Sequence, residues 1–216
     1  MIKVTNISKT YKNKPVLKNI SFHIDEAGVY GFKGRNGSGK TLLFKALLGL
    51  ITVNEGEIEV NGENIGYDIS FPRETGFLIE YPSFLPNHTG FKNLEILASI
   101  KNTCTNEDIS CILKEVGLDP SNKDKVKKYS LGMKQRLGLA QSLLENPSIL
   151  IWDEPTNALD EAGVEFLQRK IIDLKNKGKT ILISSHDSDF LRAVCQKVFV
   201  LDNGQVVDNF IVEDRL

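Results

Sequence analysis

Eight residues, 34–41, constrain the fold of this 216-residue chain more than any other segment. They read Gly-Arg-Asn-Gly-Ser-Gly-Lys-Thr and match the pattern G-x-x-x-x-G-K-[ST]. Residues 28–32, which precede them, predict a short buried strand, and residues 41–48 are typical of a helix. A strand, a glycine-rich loop and a helix in this order predict an α/β protein with a phosphate-binding loop.

The residue types of this loop suit an anionic ligand. Glycines let successive backbone N–H groups turn toward phosphate oxygens, and the N-terminus of the following helix adds partial positive charge. Lys40 is expected to reach the β- and γ-phosphates of a bound nucleotide, and the hydroxyl of Thr41 is expected to hold Mg²⁺. The predicted nucleotide-binding residues of the loop are Gly34, Asn36, Gly37, Ser38, Gly39, Lys40 and Thr41.

Two adjacent acids, Asp153 and Glu154, end a second apolar strand predicted at residues 149–152. A carboxylate at a strand end beside a phosphate-binding loop is expected to bind Mg²⁺, which assigns Asp153 to the metal with Thr41. Glu154 then faces the position from which water attacks and is the candidate general base. Taken alone, the two acids would instead indicate a solvated strand end, and the neighbouring loop favours the catalytic interpretation.

His186 follows another predicted strand, residues 180–184, and is the third catalytic candidate. A histidine just past a strand end in an α/β core can donate to the γ-phosphate. The alternative is a surface or core histidine with a structural role, which the residue by itself would favour.

Composition narrows the class of protein. The chain carries 27 basic and 28 acidic residues, and this balance weighs against a dedicated nucleic-acid-binding protein. Its three cysteines lack metal-ligand spacing, which predicts reduced thiols in a cytoplasmic protein. No segment approaches the roughly 20 apolar residues of a membrane span, and the first residues do not resemble a signal peptide. Work at a membrane would therefore require a partner.

The order of predicted elements indicates an interrupted α/β fold. Short strands predominate up to residue 82, among them strands predicted at 2–6 and 21–24, and helical periodicity follows over residues 90–144. Strands and helices then alternate, with a helix predicted at 161–176, before a final hairpin that turns at Asn203 and Gly204. We expect a nucleotide-binding core with a β subdomain at 1–82 and 145–216. Residues 83–144 are expected to form an inserted helical subdomain.

Residues 129–136 read Tyr-Ser-Leu-Gly-Met-Lys-Gln-Arg and resemble the signature motif of ABC-type ATPases. The order of loop, helical block, signature, strand with two acids, Asn-Ala-Leu-Asp at 157–160 and His186 follows this family over nearly the whole chain. The resemblance implies a P-loop NTPase (RecA-like) core, an N-terminal antiparallel β subdomain and an inserted helical subdomain. It also implies ATP hydrolysis by a dimer, in which Ser130 and Gly132 bind the γ-phosphate of ATP held by the second subunit.

Three further residues are assigned through this resemblance. Tyr11 matches the aromatic residue that stacks on adenine, although a lone tyrosine is more often a packing residue. Asp160 matches the end of the D-loop. Glu80 stands where the family usually has a glutamine that contacts Mg²⁺ and the attacking water. A glutamate adds negative charge beside the γ-phosphate, which Coulomb repulsion disfavours unless Mg²⁺ compensates. The alternative is a solvated glutamate that points away.

Residues 78–84 and 129–137 resemble ATP-binding subunits of peptide-antibiotic exporters of the bacitracin-resistance and lantibiotic-immunity type. This resemblance implies an integral membrane permease as partner, a second ATP-binding subunit in a homodimer, and a position on the inner face of the cell membrane. Residues 81–86 would dock a coupling helix of the permease, or Phe84 and Leu85 would fill the local core. The alternative functions are a nucleotide-gated regulatory module with little turnover and a non-transport ABC ATPase.

Overall fold

Two β-sheets with flanking helices make up residues 1–212, the part of the chain that the structure, a computed structural model, describes. The strands are β1 (Ile2–Tyr11), β2 (Lys14–Ile24), β3 (Gly28–Lys33), β4 (Glu55–Val60), β5 (Glu63–Asn64), β6 (Thr75–Leu78), β7 (Ile149–Asp153), β8 (Thr180–Ser185), β9 (Lys197–Asp202) and β10 (Gln205–Ile211). The helices are α1 (Lys40–Leu47), α2 (Gly90–Ala98), α3 (Asn106–Glu115), α4 (Leu131–Leu143), α5 (Glu161–Asn176) and α6 (Ser188–Val194), with a 3-10 turn at Val126–Lys128.

The larger sheet has the strand order β10-β9-β3-β8-β7-β6, and each neighbouring pair except β10–β9 is parallel. Strands β3, β7 and β8 are almost entirely buried, so their sequences are continuous apolar runs without alternation. Parallel neighbours bring their carboxyl ends to one edge of a sheet. This edge carries the glycine-rich loop after β3, the two acids at the end of β7 and His186 after β8.

The smaller sheet is antiparallel, in the order β2-β1-β4-β5, as the resemblance implied for the first part of the chain. Its β1–β2 hairpin extends well beyond the strands predicted at 2–6 and 21–24. The hairpin closes at Lys12 and Asn13, whose φ angles of 44° and 64° are the left-handed values that a tight hairpin turn requires. Register shifts interrupt the pairing beyond Val4, and because they break the alternation of apolar residues, the sequence pattern fades there.

Helix α4 packs directly on the larger sheet. A Cβ added to Gly76 of β6 would lie 1.8 Å from the carbonyl oxygen of Ser142, so only glycine permits this approach. Trp152 of β7 is buried, and its Nε1 donates a 2.9 Å hydrogen bond to Ser142 Oγ. The helix that begins at the signature motif is thereby joined to the strand that carries the two acids. The predicted boundaries at residues 82 and 145 stay a prediction.

The core beneath the glycine-rich loop is aromatic. Phe32 at the end of β3 meets Phe44 of α1 edge to face, with ring centroids 5.2 Å apart, and it stacks on Phe199 of β9 at the same distance. These rings fix α1 against the strand that precedes the loop. In the portion of the chain that the structure describes, no helix is both long and apolar enough to cross a bilayer.

Candidate site for nucleotide binding and hydrolysis

The glycine-rich loop, residues 34–39, borders a cleft of about 470 Å³ at the carboxyl edge of the larger sheet. Five predicted loop residues line it, and so does Glu154. Residues of β2, one further residue of α1 and the turn between β9 and β10 complete the wall. The lining consists of Lys14, Pro15, Val16, Lys18, Asn36, Gly37, Gly39, Lys40, Thr41, Leu42, Glu154, Asn203 and Gly204.

Two glycines let the loop close tightly against its surroundings. A Cβ at Gly34 would lie 2.4 Å from Ser38 Oγ and 2.6 Å from the carbonyl oxygen of Leu201. Gly39, the N-cap of α1, has a φ of 109°, a left-handed value that favours glycine. The loop therefore presents backbone to the cleft at the positive end of α1.

Ser38 supplies an independent sign that the loop suits an anionic ligand. Its Oγ is buried and has no hydrogen-bond partner among residues 1–212. A buried hydroxyl without a partner costs about 1–3 kcal/mol, and such groups usually have a functional reason. Ser38 itself does not line the cleft, but its loop neighbours Gly37 and Gly39 do, together with three lysines, Lys14, Lys18 and Lys40, and one acid, Glu154. A buried hydroxyl without a partner in a loop that borders a cationic cleft fits phosphate oxygens.

Asp153 is held in a network of hydroxyl groups. Thr41 Oγ1 donates a 2.6 Å hydrogen bond to one carboxylate oxygen, and Ser184 Oγ donates to the other. Asp153 is 5% exposed, and both groups that donate hydrogen bonds to its carboxylate are hydroxyls. Carboxylate and hydroxyl oxygens are the ligand type that Mg²⁺ prefers, so this network fits the metal predicted for Thr41 and Asp153.

The Glu154 carboxylate contacts Lys40, which follows the glycine-rich loop, and His186, which follows β8. One carboxylate oxygen lies 3.2 Å from Lys40 Nζ, and the other lies 2.9 Å from His186 Nδ1. Its backbone N–H donates to Ser184, and its φ of 48° is left-handed, which is uncommon for a non-glycine residue. Strained backbone of this kind clusters at active sites. The structure therefore brings three predicted residues, Lys40, Glu154 and His186, into one cluster.

Lys40 has further partners in the loop itself. Its Nζ donates to the carbonyl oxygens of Gly34 at 2.7 Å and Arg35 at 3.3 Å. The ammonium group is thus folded back over the loop, where phosphate oxygens would replace these carbonyls as its partners.

Glu80 leaves β6 beside Glu154, but its carboxylate has a different partner. Leu78 pairs with Trp152 in the β6–β7 register, so Glu80 and Glu154 each follow that pair by two residues. Glu80 Oε1 lies 2.7 Å from Lys45 Nζ, and the Glu80 side chain is 58% exposed. The structure joins Glu80 to α1 rather than to Thr41 or Asp153, and its predicted contacts with Mg²⁺ and water stay a prediction.

The signature residues lie away from the cleft of their own chain. Ser130 is exposed and caps α4, accepting a hydrogen bond from the Met133 N–H. A Cβ at Gly132 would lie 3.0 Å from the carbonyl oxygen of Ala158, so the signature borders residues 157–160. Asp160 caps α5 through the Gly163 N–H. None of the three predicted residues, Ser130, Gly132 and Asp160, is in the cleft lining given above.

Tyr11 is at the outer end of β1 and is 47% exposed. It pairs across the hairpin with Lys14, which lines the cleft, and Lys9 Nζ lies 5.2 Å from its ring centroid. An exposed ring beside the cleft is compatible with the predicted stacking on adenine, which stays a prediction.

Several residues of the site were missed by the sequence analysis. The cleft includes Lys14 and Lys18 of β2 and Gly204 of the last hairpin, which meet because the Lys18 N–H donates to the Gly204 carbonyl and the Gly204 N–H donates to Ser38. The turn at Asn203 and Gly204 was predicted, but its position at the cleft depends on tertiary pairing. Ser184 and Lys45 gave no sequence signal beyond their place in a strand and a helix.

Known proteins share this arrangement. Residues 17–157 match the family described as ABC transporter. Uncharacterized ABC transporter ATP-binding protein YybJ of Bacillus subtilis is 44% identical over 206 residues, which cover 95% of this chain and 94% of that protein. Bacitracin transport ATP-binding protein BcrA of Bacillus licheniformis is 39% identical over 210 residues, covering 96% and 69%. Lantibiotic transport ATP-binding protein SrtF of Streptococcus pyogenes is 38% identical over 186 residues, covering 86% and 80%.

The fold is shared with a solved ATP-binding cassette. The dimeric structure of a post-hydrolysis state of the cassette MJ0796, bound to ADP and Pi, matches with a TM-score of 0.89 at 26% identity and covers 99% of both chains. The fold and site define an ATP-binding cassette ATPase. This chain belongs to the ABC transporter family. The predicted fold class, family and ATPase activity are thereby confirmed.

Proposed function

We propose that this chain is the ATP-hydrolysing subunit of a membrane transporter that exports peptide antibiotics or similar amphipathic compounds. The observation that carries the enzymatic part is the cluster in which Glu154 contacts both Lys40, with which it lines the cationic cleft, and His186. The transport part follows from membership of the family. The peptide-antibiotic part is supported by the relatives named for bacitracin and lantibiotic transport and by the amino-acid sequences of residues 78–84 and 129–137.

In this proposal Glu154 accepts a proton from the attacking water. His186 lies within hydrogen-bond distance of one Glu154 oxygen, and this contact orients the carboxylate before substrate arrives. The other oxygen forms an ion pair with Lys40 but has no hydrogen-bond partner among residues 1–212. Once phosphates occupy the loop, Lys40 neutralises their negative charge in place of its carbonyl contacts. Mg²⁺, held by Thr41 and Asp153, would supply charge neutralisation at the β- and γ-phosphates.

The second copy of the chain is proposed from the position of the signature residues. Ser130 is exposed at the start of α4, and Ser130, Gly132 and Asp160 are separate from the cleft of their own chain. A helix N-terminus with an exposed hydroxyl suits an anion, which a second, antiparallel copy can bring to it. The related cassette MJ0796 has been solved as a dimer, and we propose a homodimer with two shared ATP sites for this chain.

The permease surface is proposed at residues 77–85. Phe77, Tyr81 and Leu85 are exposed by 40%, 78% and 47%, whereas Phe84 packs against the core. Of the two alternatives for the segment 81–86, core packing describes Phe84, whereas the exposure of Tyr81 and Leu85 supports docking of a partner. Asn93 fixes the segment by exchanging hydrogen bonds with the backbone of Leu85. Exposed aromatic and aliphatic side chains on an anchored loop are typical of protein interfaces, and a permease there would hold the chain at the inner face of the membrane.

Co-purification from native membranes tests this proposal first. The tagged chain, isolated after gentle solubilisation, should bring down a multi-span membrane protein in stoichiometric amount, and that complex should hydrolyse MgATP faster than the free chain. A soluble partner would contradict the transporter. ATP-driven dimerisation without appreciable turnover in the complex would favour the regulatory alternative. Bacitracin and a lantibiotic, tested for stimulation of the complex, would then decide between substrates.

A further inference from the structure

A second lysine–carboxylate pair, Lys45 and Glu80, lies next to the network of Thr41 and Asp153. The Lys45 Nζ and Glu80 Oε1 atoms are 2.7 Å apart, a charge-assisted hydrogen bond. Lys45 is 26% exposed and Glu80 is 58% exposed. The φ of Glu80 is 56°, so its backbone is left-handed like that of Glu154.

The pair is close to the phosphate cleft because of two regular geometries. On α1, residues four apart share a face, so Lys45 lies one turn beyond Thr41, whose hydroxyl binds Asp153. Across the sheet, Glu80 and Glu154 leave adjacent parallel strands at the same level. Helix α1 and strand β6 therefore bring the pair to the same end of the sheet as Thr41 and Asp153, outside the residues that line the cleft.

A carboxylate in this position would repel the phosphates of ATP. At an effective dielectric constant of 20, the repulsion between two like charges about 10 Å apart is enough to weaken binding roughly fivefold or more. An ammonium group in contact with the carboxylate cancels most of this field at the cleft. Lys45 provides that group, which explains how the chain tolerates a glutamate here.

We propose that Lys45 is a positioning residue that fixes the Glu80 carboxylate against α1 and neutralises its charge toward bound nucleotide. The inference deepens the proposed function, since it requires ATP in the cleft. Its specific content is a coupling: Lys45 matters for nucleotide binding only while Glu80 is charged.

Four variants of the full-length chain test this coupling: Lys45→Gln, Lys45→Arg, Glu80→Gln and the double variant Lys45→Gln/Glu80→Gln. Binding of MgATP, measured by calorimetry, should weaken about fivefold in Lys45→Gln, because no ammonium group then offsets the repulsion between Glu80 and the phosphates. Lys45→Arg and the double variant should stay within about twofold of wild type. The loss in Lys45→Gln should shrink at 0.5 M salt, where the Debye length is only a few ångströms.

Equal losses in Lys45→Gln and the double variant would overturn the proposal, because Lys45 would then act on the nucleotide directly. Wild-type affinity in Lys45→Gln would overturn it as well. Melting temperatures identify a merely structural effect, which would not depend on salt or on the charge at Glu80. If Lys45→Gln does not fold, Lys45→Met keeps the aliphatic stem and replaces it in the cycle.

Failure of the proposed function would give a different result. A wild-type chain that binds MgATP without hydrolysing it would contradict the catalytic proposal, and the affinity pattern of the four variants would still decide the role of Lys45. In a chain that hydrolyses ATP, the Lys45→Gln effect should appear in KM and in the Mg²⁺ concentration required for half-maximal rate.

Discussion

Two lysine–carboxylate pairs stand at the carboxyl ends of the neighbouring strands β6 and β7, and they differ sharply in burial. The Lys40 and Glu154 side chains are 5% and 14% exposed, whereas the Lys45 and Glu80 side chains are 26% and 58% exposed. In both pairs the acid has a left-handed φ and follows a parallel strand, and the lysine belongs to α1. The same local arrangement therefore occurs in two dielectric environments.

Burial decides what each pair can do. A charge removed from water is strongly destabilised when its partner is lost, so Lys40 and Glu154 hold each other, with His186, in one orientation. Water solvates the charges of an exposed pair in both the folded and the unfolded chain, so the pair contributes little to the free energy of folding. Its side chains can therefore rearrange when a ligand binds. The buried pair suits chemistry, and the exposed pair suits adjustment of charge at the edge of the site.

The largest effect should come from Glu154→Gln. The amide keeps the shape of the side chain and cannot accept a proton, so we expect kcat for ATP hydrolysis to fall roughly 10²- to 10⁴-fold. ATP binding should persist, and gel filtration with MgATP should show the dimer accumulating. Glu165→Gln, an exposed acid on α5, is the matched control and should retain wild-type turnover. Unchanged turnover in Glu154→Gln would remove Glu154 from the role of base.

Matched truncations of the two lysines should separate the pairs by stability. Lys40→Met leaves Glu154 and the Gly34 carbonyl without their ammonium partner, and we expect the free energy of unfolding to fall by about 3 kcal/mol. Lys45→Met should cost at most about 1 kcal/mol, since that pair is largely solvated. Urea denaturation of both variants without nucleotide measures the difference. Equal losses would contradict the contrast in burial.

Ser184→Ala tests whether the network around the buried pair supports the fold. Ser184 is fully buried and its hydroxyl donates to Asp153, so its removal takes one of the two hydroxyl partners from a buried carboxylate, while the Glu154 N–H keeps the Ser184 carbonyl. A loss of about 1–3 kcal/mol is expected from urea denaturation. Ser188→Ala, at the start of α6, serves as a control outside the network and should change stability by less than about 0.5 kcal/mol.

Two cysteines, Cys195 and Cys111, differ in burial as the two ion pairs do. Burial raises the pKa of the Cys195 thiol to about 12, whereas Cys111 is exposed. At pH 8 a maleimide should label Cys111 within minutes and leave Cys195 unlabelled until the chain is unfolded. The sign of the linked stability also follows: from about pH 9 upward the unfolded chain loses a proton that the folded chain keeps, so stability falls with rising pH. Rapid labelling of Cys195 in the folded state would contradict its position.

Much of the fold was predictable because the signals are local. The strand before the loop, the helix after it and the strand ending in Asp153 have clear periodicity and occur within a residue or two of the predicted bounds. Helix α5 begins and ends at the predicted residues, Glu161 and Asn176. The β1–β2 hairpin was underestimated because register shifts break its alternation, and strand alternation is the signal that prediction uses.

The site was predicted in its chemistry but not in its contacts. Lys40, Asp153, Glu154 and His186 were identified as candidates, yet the sequence did not indicate that Glu154 would lie between Lys40 and His186. For Glu80, the sequence left two alternatives, a metal contact and a solvated position. Neither alternative included Lys45, which is the partner that the structure gives it. Such contacts depend on how helix and strand pack, in this case between residues that are 35 positions apart in the chain.

The sequence by itself determined which groups could carry the chemistry: a glycine-rich loop before a helix, two acids ending a strand and a signature at a helix start. These properties follow from residue type and short-range geometry, and they survive without knowledge of packing. Tertiary structure alone decided which lysine each acid meets and how deeply each pair is buried. Parallel pairing of β6, β7 and β8 aligns their ends, and α1 packed against that edge supplies both lysines. Burial then gives two similar pairs different roles, because the energy of a charge depends on its surroundings rather than on its sequence.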